Sequence, residues 1–95
     1  MATLHIEHAI TDLETWLTAF NRFGEAREQA GVTAARVLRP DDDQHYIVVN
    51  LEFESAEAAT NFRAFLRDVV WASPEASPAL AGEPKAVVLK EVHTG

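Results

Sequence analysis

Four histidines, His5, His8, His45 and His93, are the side chains of this sequence whose ordinary pKa lies closest to neutrality, and there is no cysteine. Two of them share the stretch TLHIEHA with Glu7. An imidazole beside a carboxylate can accept a proton near pH 7 and hold the resulting charge, so this stretch is the natural place to look for acid–base chemistry. Spacing then divides the group. Along an extended chain successive side chains point to opposite faces, which puts His5 and Glu7 on one face and His8 on the other with Leu4 and Ile6. For the same reason His5 and His8 cannot share a metal ion without a bulge. The helical H-E-x-x-H pattern and glycine-rich phosphate loops are absent, so neither a metal nor a cofactor is expected.

A second polar series lies in HYIVVNLEF, where Tyr46, Asn50 and Glu52 alternate with Ile47, Val49, Leu51 and Phe53. With Leu4 and Ile6 facing the core, His5 and Glu7 are expected to project beside Tyr46, Asn50 and Glu52, with Arg36 of the neighbouring segment, into a small-molecule cavity on the opposite side of the sheet. His5 is then the leading base, and Tyr46 and Asn50 are the donors to a developing oxyanion. The competing reading makes the same residues a solvated surface. His8 reads either as a partly buried histidine bonded near the start of the first helix or as a residue lining the cavity mouth. Trp16 falls on an apolar helical stripe and reads as core. Trp71 reads either as core or as an aromatic wall of the cavity. His45 lies beside a turn and His93 close to the C-terminus.

The elements that must position these groups follow from periodicity. Residues 3–10 alternate as a strand. Thr11 and Glu14 have the spacing of a capping box, and Leu13, Trp16, Leu17, Phe20 and Phe23 recur at helical steps toward a stop at Gly31. TAARVLR, residues 33–39, and HYIVVNLEF read as two strands of a hairpin joined through PDDD. Ser55 is a natural N-cap for a second helix ending near residues 71–73, ahead of Pro74. SPEASPALAGEP then reads as a lid-like loop with one helical turn at 78–81, and KAVVLKEV as the last strand.

Strand, helix, strand, strand, helix, strand is the split βαβ order of ferredoxin-like α+β folds: a four-stranded antiparallel sheet with two helices on one face. Residues 1–95 are expected to form one such domain. The uncovered face would carry Tyr46 and Val48, with either Val87 and Leu89 or Ala86 and Val88, and a second copy stacked sheet to sheet is the expected cover. The other bulk properties agree with a packed chain that avoids polyanions. The sequence is 47% hydrophobic and 24% charged, with a net charge of -7, which disfavours nucleic acid and anionic membranes as partners. No basic, apolar leader opens the sequence and no segment approaches the roughly 18 apolar residues of a membrane span, so a cytoplasmic location is expected.

In the segments HAITDLETW, GVTAARVLR, VVNLEFES, VVWASPEA and EPKAVVLKEV the chain resembles the dimeric α+β barrel superfamily. Within it, the likeness is to the small bacterial proteins of antibiotic biosynthesis monooxygenase-like and polyketide cyclase-like type. That resemblance implies a homodimer binding a hydrophobic or aromatic small molecule without a prosthetic group, with Trp71 near the position where relatives hold planar ligands. It also implies a cofactor-independent oxygenase or cyclase acting on an aromatic or polyketide-like substrate. A non-catalytic ligand-binding or accessory dimer is the alternative, since one fold hosts many functions.

Overall fold

The computed structural model describes residues 1–93 and 95. Its elements follow in the order β1 (Ala2–Ile10), α1 (Leu13–Arg22), α2 (Gly24–Gln29), β2 (Val32–Leu38), β3 (Tyr46–Phe53), α3 (Ala56–Phe65), a π turn (Leu66–Val70) and β4 (Leu80–Lys90). The four strands form one antiparallel sheet in the order β2-β3-β1-β4. This is the ferredoxin-like fold.

Alternation does the positioning. Ala2, Leu4, Ile6, His8 and Ile10 of β1 and Ile47, Val49, Leu51 and Phe53 of β3 are buried under the helices. Leu4, Ile47, Leu51 and Phe53 are the largest fully enclosed side chains, and each contributes about 1.5–3 kcal/mol by leaving water. Ala59 and Phe62 of α3 close over them. Ser55 caps α3 as expected, its hydroxyl accepting from the Ala58 amide at 3.1 Å.

Three local features differ from the periodicity reading. The cap of α1 is Asp12 rather than Thr11, because the Asp12 carboxylate accepts from both the amide and the hydroxyl of Thr15, at 2.8 and 2.7 Å. The first helix is broken at Phe23, whose φ/ψ of -98/15 leaves the α-helical region one residue before Gly24, so three helices cover the sheet instead of two. Finally, β4 begins at Leu80, where a loop with a helical turn was expected. Its pairing with β1 slips between Glu7 and Ala9, so that Glu7 faces Lys85 while Ala9 faces Ala81. Gly82 at φ 74 supplies the left-handed residue of this bulge, and Pro84 has no amide to donate. The slip falls opposite His8.

The other face of the sheet is uncovered. Val87 and Leu89, not Ala86 and Val88, lie on it at 45% exposure each. Register places Leu38 beside Val48, and Arg36, Asn50, His5 and Val87 in one row across all four strands.

Candidate functional site

The two histidines of β1 occupy different environments, and the aromatic cavity, partly open to solvent, belongs to His8. It lies between the sheet and the helices, floored by Ile6, Val49 and Leu51 and walled by Trp16, Phe20, Phe23, Phe62 and Trp71. Leu66 and Val70 of the π turn and residues 76–80 complete it. Its volume, taken as the space open to the centres of water molecules, is about 70 Å³, small beside the roughly 300–1,000 Å³ of sites that hold larger ligands.

The cavity expected beside His5, Glu7, Arg36, Tyr46, Asn50 and Glu52 would lie between two stacked sheets; in the single chain those residues stand on the uncovered face, where His5 and Glu7 border an open hollow with Pro84, Lys85 and Val87. The aromatic hollow lies on the helix side, where α1 breaks at Phe23 and the small side chains Ala76 and Ala79 leave the aromatic rings as walls.

His8 is 5% exposed. Its Nδ1 donates to the backbone carbonyl of Ala9 at 2.9 Å, a carbonyl being able only to accept, so Nε2 carries the lone pair in the neutral ring. Among the described residues Nε2 has no hydrogen-bond partner, and it keeps some accessible surface on a side chain that lines the cavity. Burial pushes the His8 pKa down, which keeps the ring neutral, with its lone pair free, at neutral pH. Its neighbours are flat: Trp16 at 6.3 Å and Trp71 at 6.5 Å between ring centroids, with Phe20 stacked on Trp16 at 4.9 Å.

Trp71 is placed by the π turn. Its amide reaches back five residues to the Leu66 carbonyl at 2.7 Å, a wider loop than an α-helix makes, and this brings both Val70 and Trp71 to the cavity. The following segment is stitched by Ser73, whose carbonyl accepts from the Ala76 and Ser77 amides and the Ser77 hydroxyl. Ala79 O in turn accepts from Thr11 N at 2.9 Å, tying the roof to the end of β1.

On the uncovered face the expected polar residues do meet one another. Tyr46 donates to Glu7 Oε1 at 2.7 Å, Glu7 Oε2 lies 2.9 Å from His5 Nε2, and His5 Nδ1 lies 2.7 Å from Asn50 Oδ1. The hydrogen bond that His5 donates to Glu7 is the main cause raising the His5 pKa, against a smaller effect of burial, and the same bond lowers that of Glu7. As imidazolium, His5 donates from both nitrogens. Tyr46 is held protonated by its bond to Glu7, which pushes its pKa up. Glu52 is engaged separately, accepting from the Thr3 hydroxyl at 2.8 Å. Arg36 sits opposite Asn50, exposed and without an ion-pair partner among the described residues.

Arg27 was missed by the sequence reading. It projects from α2 over the Phe20 ring, with its guanidinium carbon 3.6 Å from the centroid, and lines the cavity. Its only sequence signal was an arginine within an otherwise polar helical end, which does not reveal that the helix breaks and folds it inward. Among the described residues no three His, Asp or Glu side chains gather as a metal site, and no helix is long and apolar enough to cross a membrane.

A four-stranded antiparallel sheet with helices on one face defines the class of fold, and solved structures share that fold. The chain is similar to a crystal structure of an antibiotic biosynthesis monooxygenase at 14% identity and a TM-score of 0.70, covering 98% of this chain and 100% of that one. It is similar also to SnoaB, a cofactor-independent oxygenase from Streptomyces nogalater, at 16% identity and a TM-score of 0.72, covering 98% and 94%. A dimeric ferredoxin-like protein from an uncultured marine organism matches at 10% identity and a TM-score of 0.70, covering 99% and 97%. No protein-family model matches the sequence, and neither does any curated protein. The likeness is one of fold.

Proposed function

We propose that this chain is a homodimer that binds a small aromatic molecule in the helix-side cavity and uses His8 as the base of a cofactor-independent oxygenation or cyclisation. The observation that carries the reading is the state of His8: buried among flat rings, held in one tautomer by Ala9, lining the cavity, with no hydrogen-bond partner on Nε2 among the described residues. Such a ring can take a proton from a phenol or an activated C–H, leaving an imidazolium and a substrate anion. That anion can attack a carbonyl within the same molecule. Alternatively it adds dioxygen, a co-substrate, and loss of water from the resulting hydroperoxide leaves a new carbonyl. The name of SnoaB as a cofactor-independent oxygenase supports the oxygen branch for a chain of this fold.

Cavity size narrows the substrate. Ligand sites for larger molecules run to about 300–1,000 Å³, so the hollow as it stands suits a single-ring compound at most, and a polycyclic one requires Trp71 and residues 72–79 to move outward. Dimerisation would cover the apolar side chains Leu38, Val48, Val87 and Leu89, and dimeric proteins of the same fold support it. In that arrangement His5, Glu7, Tyr46 and Asn50, together with Arg36 and Glu52, belong to the interface and hold two sheets in register.

A non-catalytic binding dimer is the second reading, favoured by one observation: among the described residues His8 has no carboxylate partner to form an acid–base pair. Oxygen uptake and product masses measured with a panel of single-ring phenols and β-dicarbonyls separate the two. The enzymatic reading expects uptake or a cyclised product with at least one compound, lost in His8→Gln while binding persists. Binding without any conversion would leave the accessory reading in place.

A further inference from the structure

Among the described residues Arg27 is the one permanently charged side chain lining the aromatic cavity, and its environment is unusual for a guanidinium. It is half-buried, and no Asp or Glu oxygen lies within 4.0 Å of it among the described residues. Partly desolvated cations are ordinarily paired. Here the compensation comes from the Phe20 ring beneath it and from the Phe20 carbonyl, to which Nη1 donates at 2.6 Å. A guanidinium carries five N–H donors in a planar fork. Capping the end of α1 through Phe20 accounts for one of them and for the stacking, but leaves the rest of the fork unassigned at the wall of a ligand-sized hollow.

We infer that the cavity selects a single-ring aromatic carboxylate, with the ligand's carboxylate docked on the free edge of Arg27 and its ring against Phe20 and Trp16. The inference rests on the proposed use of this cavity and adds the charge of its ligand. Geometry supports the orientation. Arg27 stacks on Phe20, Phe20 stacks on Trp16, and Trp16 adjoins His8, so the cation and the base are not neighbours but are joined through two rings of the cavity wall. A carboxylate held on Arg27 would lay the ligand's ring along that wall and leave its other end for His8. Planar, bidentate recognition of carboxylate is what this fork does best, and a lysine would supply the charge without the geometry. The selection has to be local, because the chain's net charge of -7 repels anions at a distance.

The cavity carries its own reporter: the sequence has two tryptophans, and both Trp16 and Trp71 line it. Benzoate and benzamide, matched in shape and differing in charge, are titrated against tryptophan fluorescence. Wild type is expected to bind benzoate about ten-fold or more tightly than benzamide, in keeping with a charge-assisted pair. Arg27→Gln should bring the two within about two-fold by weakening benzoate alone, and Arg27→Lys should keep only part of the preference. If benzamide binds wild type as well as benzoate does, the charge assignment is overturned while the aromatic cavity stands. A preference that survives in Arg27→Gln overturns it equally. Should neither compound perturb the tryptophans, both the cavity's proposed use and this inference fall. Should Arg27→Gln not fold, as judged by circular dichroism, the wild-type ratio and the Arg27→Lys ratio decide.

Discussion

His5 and His8 lie three residues apart on one strand, yet the two faces of the sheet treat them in opposite ways. Under the helices, His8 loses its hydration to tryptophan rings and becomes a weaker base than a free imidazole. On the open face, His5 gains Glu7 and Asn50 and becomes a stronger one. One ring therefore holds a proton less tightly than a free imidazole and the other more tightly. Residue type alone assigns no role. The face does, through the balance of desolvation against a charged partner.

The largest test of this contrast is packing. Phe53→Ala, on the covered face, is expected to cost about 3–5 kcal/mol in chemical denaturation, since its fully enclosed ring leaves a void. Leu89→Ala on the open face should cost far less in the isolated chain. Should the two variants be equally destabilised, the two faces are not differently packed. Next is the interface. Val48→Asp should move the protein from dimer to monomer in sedimentation at micromolar concentration, because an unpaired carboxylate pressed between sheets costs several kcal/mol. An unchanged dimer would mean that the open face is not where two copies meet.

Titration sharpens the comparison further. His8, with its lowered pKa, resists protonation in the folded state, so its contribution to stability falls as the pH drops through the ordinary imidazole value of about 6.5. His5 has a raised pKa, so its contribution is complete below that value and is lost as the pH rises through the folded midpoint. The two oppose each other in wild type. Denaturation midpoints measured from pH 5 to 8 should therefore rise with pH in His5→Gln and fall with pH in His8→Gln, over the imidazole range. Slopes of the same sign in both variants would contradict the assignment. The smallest effect belongs to Tyr46→Phe, which deletes the bond to Glu7 Oε1. By NMR, the Glu7 midpoint should rise toward the ordinary carboxylate value, with the His8 resonances unmoved.

Much of the architecture was legible because alternation is a strong signal. Leu4, Ile6, Ile47, Val49, Leu51 and Phe53 announced both central strands and the face each buries, and Ser55 announced α3. Less legible were the places where backbone geometry overrides pattern. Phe23 continues the apolar stripe of α1, so nothing in its type shows that the helix breaks there. Gly82 and Pro84 look like loop residues, and they belong to a bulged strand instead. Alternation also sorted His5 from His8 correctly without saying which side would be hollow. That depends on how far the helices stand off the sheet, a property of the break at Phe23 and of small residues in a distant turn.

The π turn at Leu66–Val70 sets the phase of everything after it. An α-helix advances each residue by about 100° around its axis, so one residue more or fewer rotates the following side chains by more than a quarter of a circle. Five residues closing onto Leu66 keep Trp71 aimed at His8. A chain shortened by one residue here would retain its sheet, its core and its length of helix, and would turn its indole away from the hollow. Among proteins of this fold, a single insertion or deletion in this turn can therefore switch a ring in or out of the cavity wall without touching any residue that a substitution scan would flag.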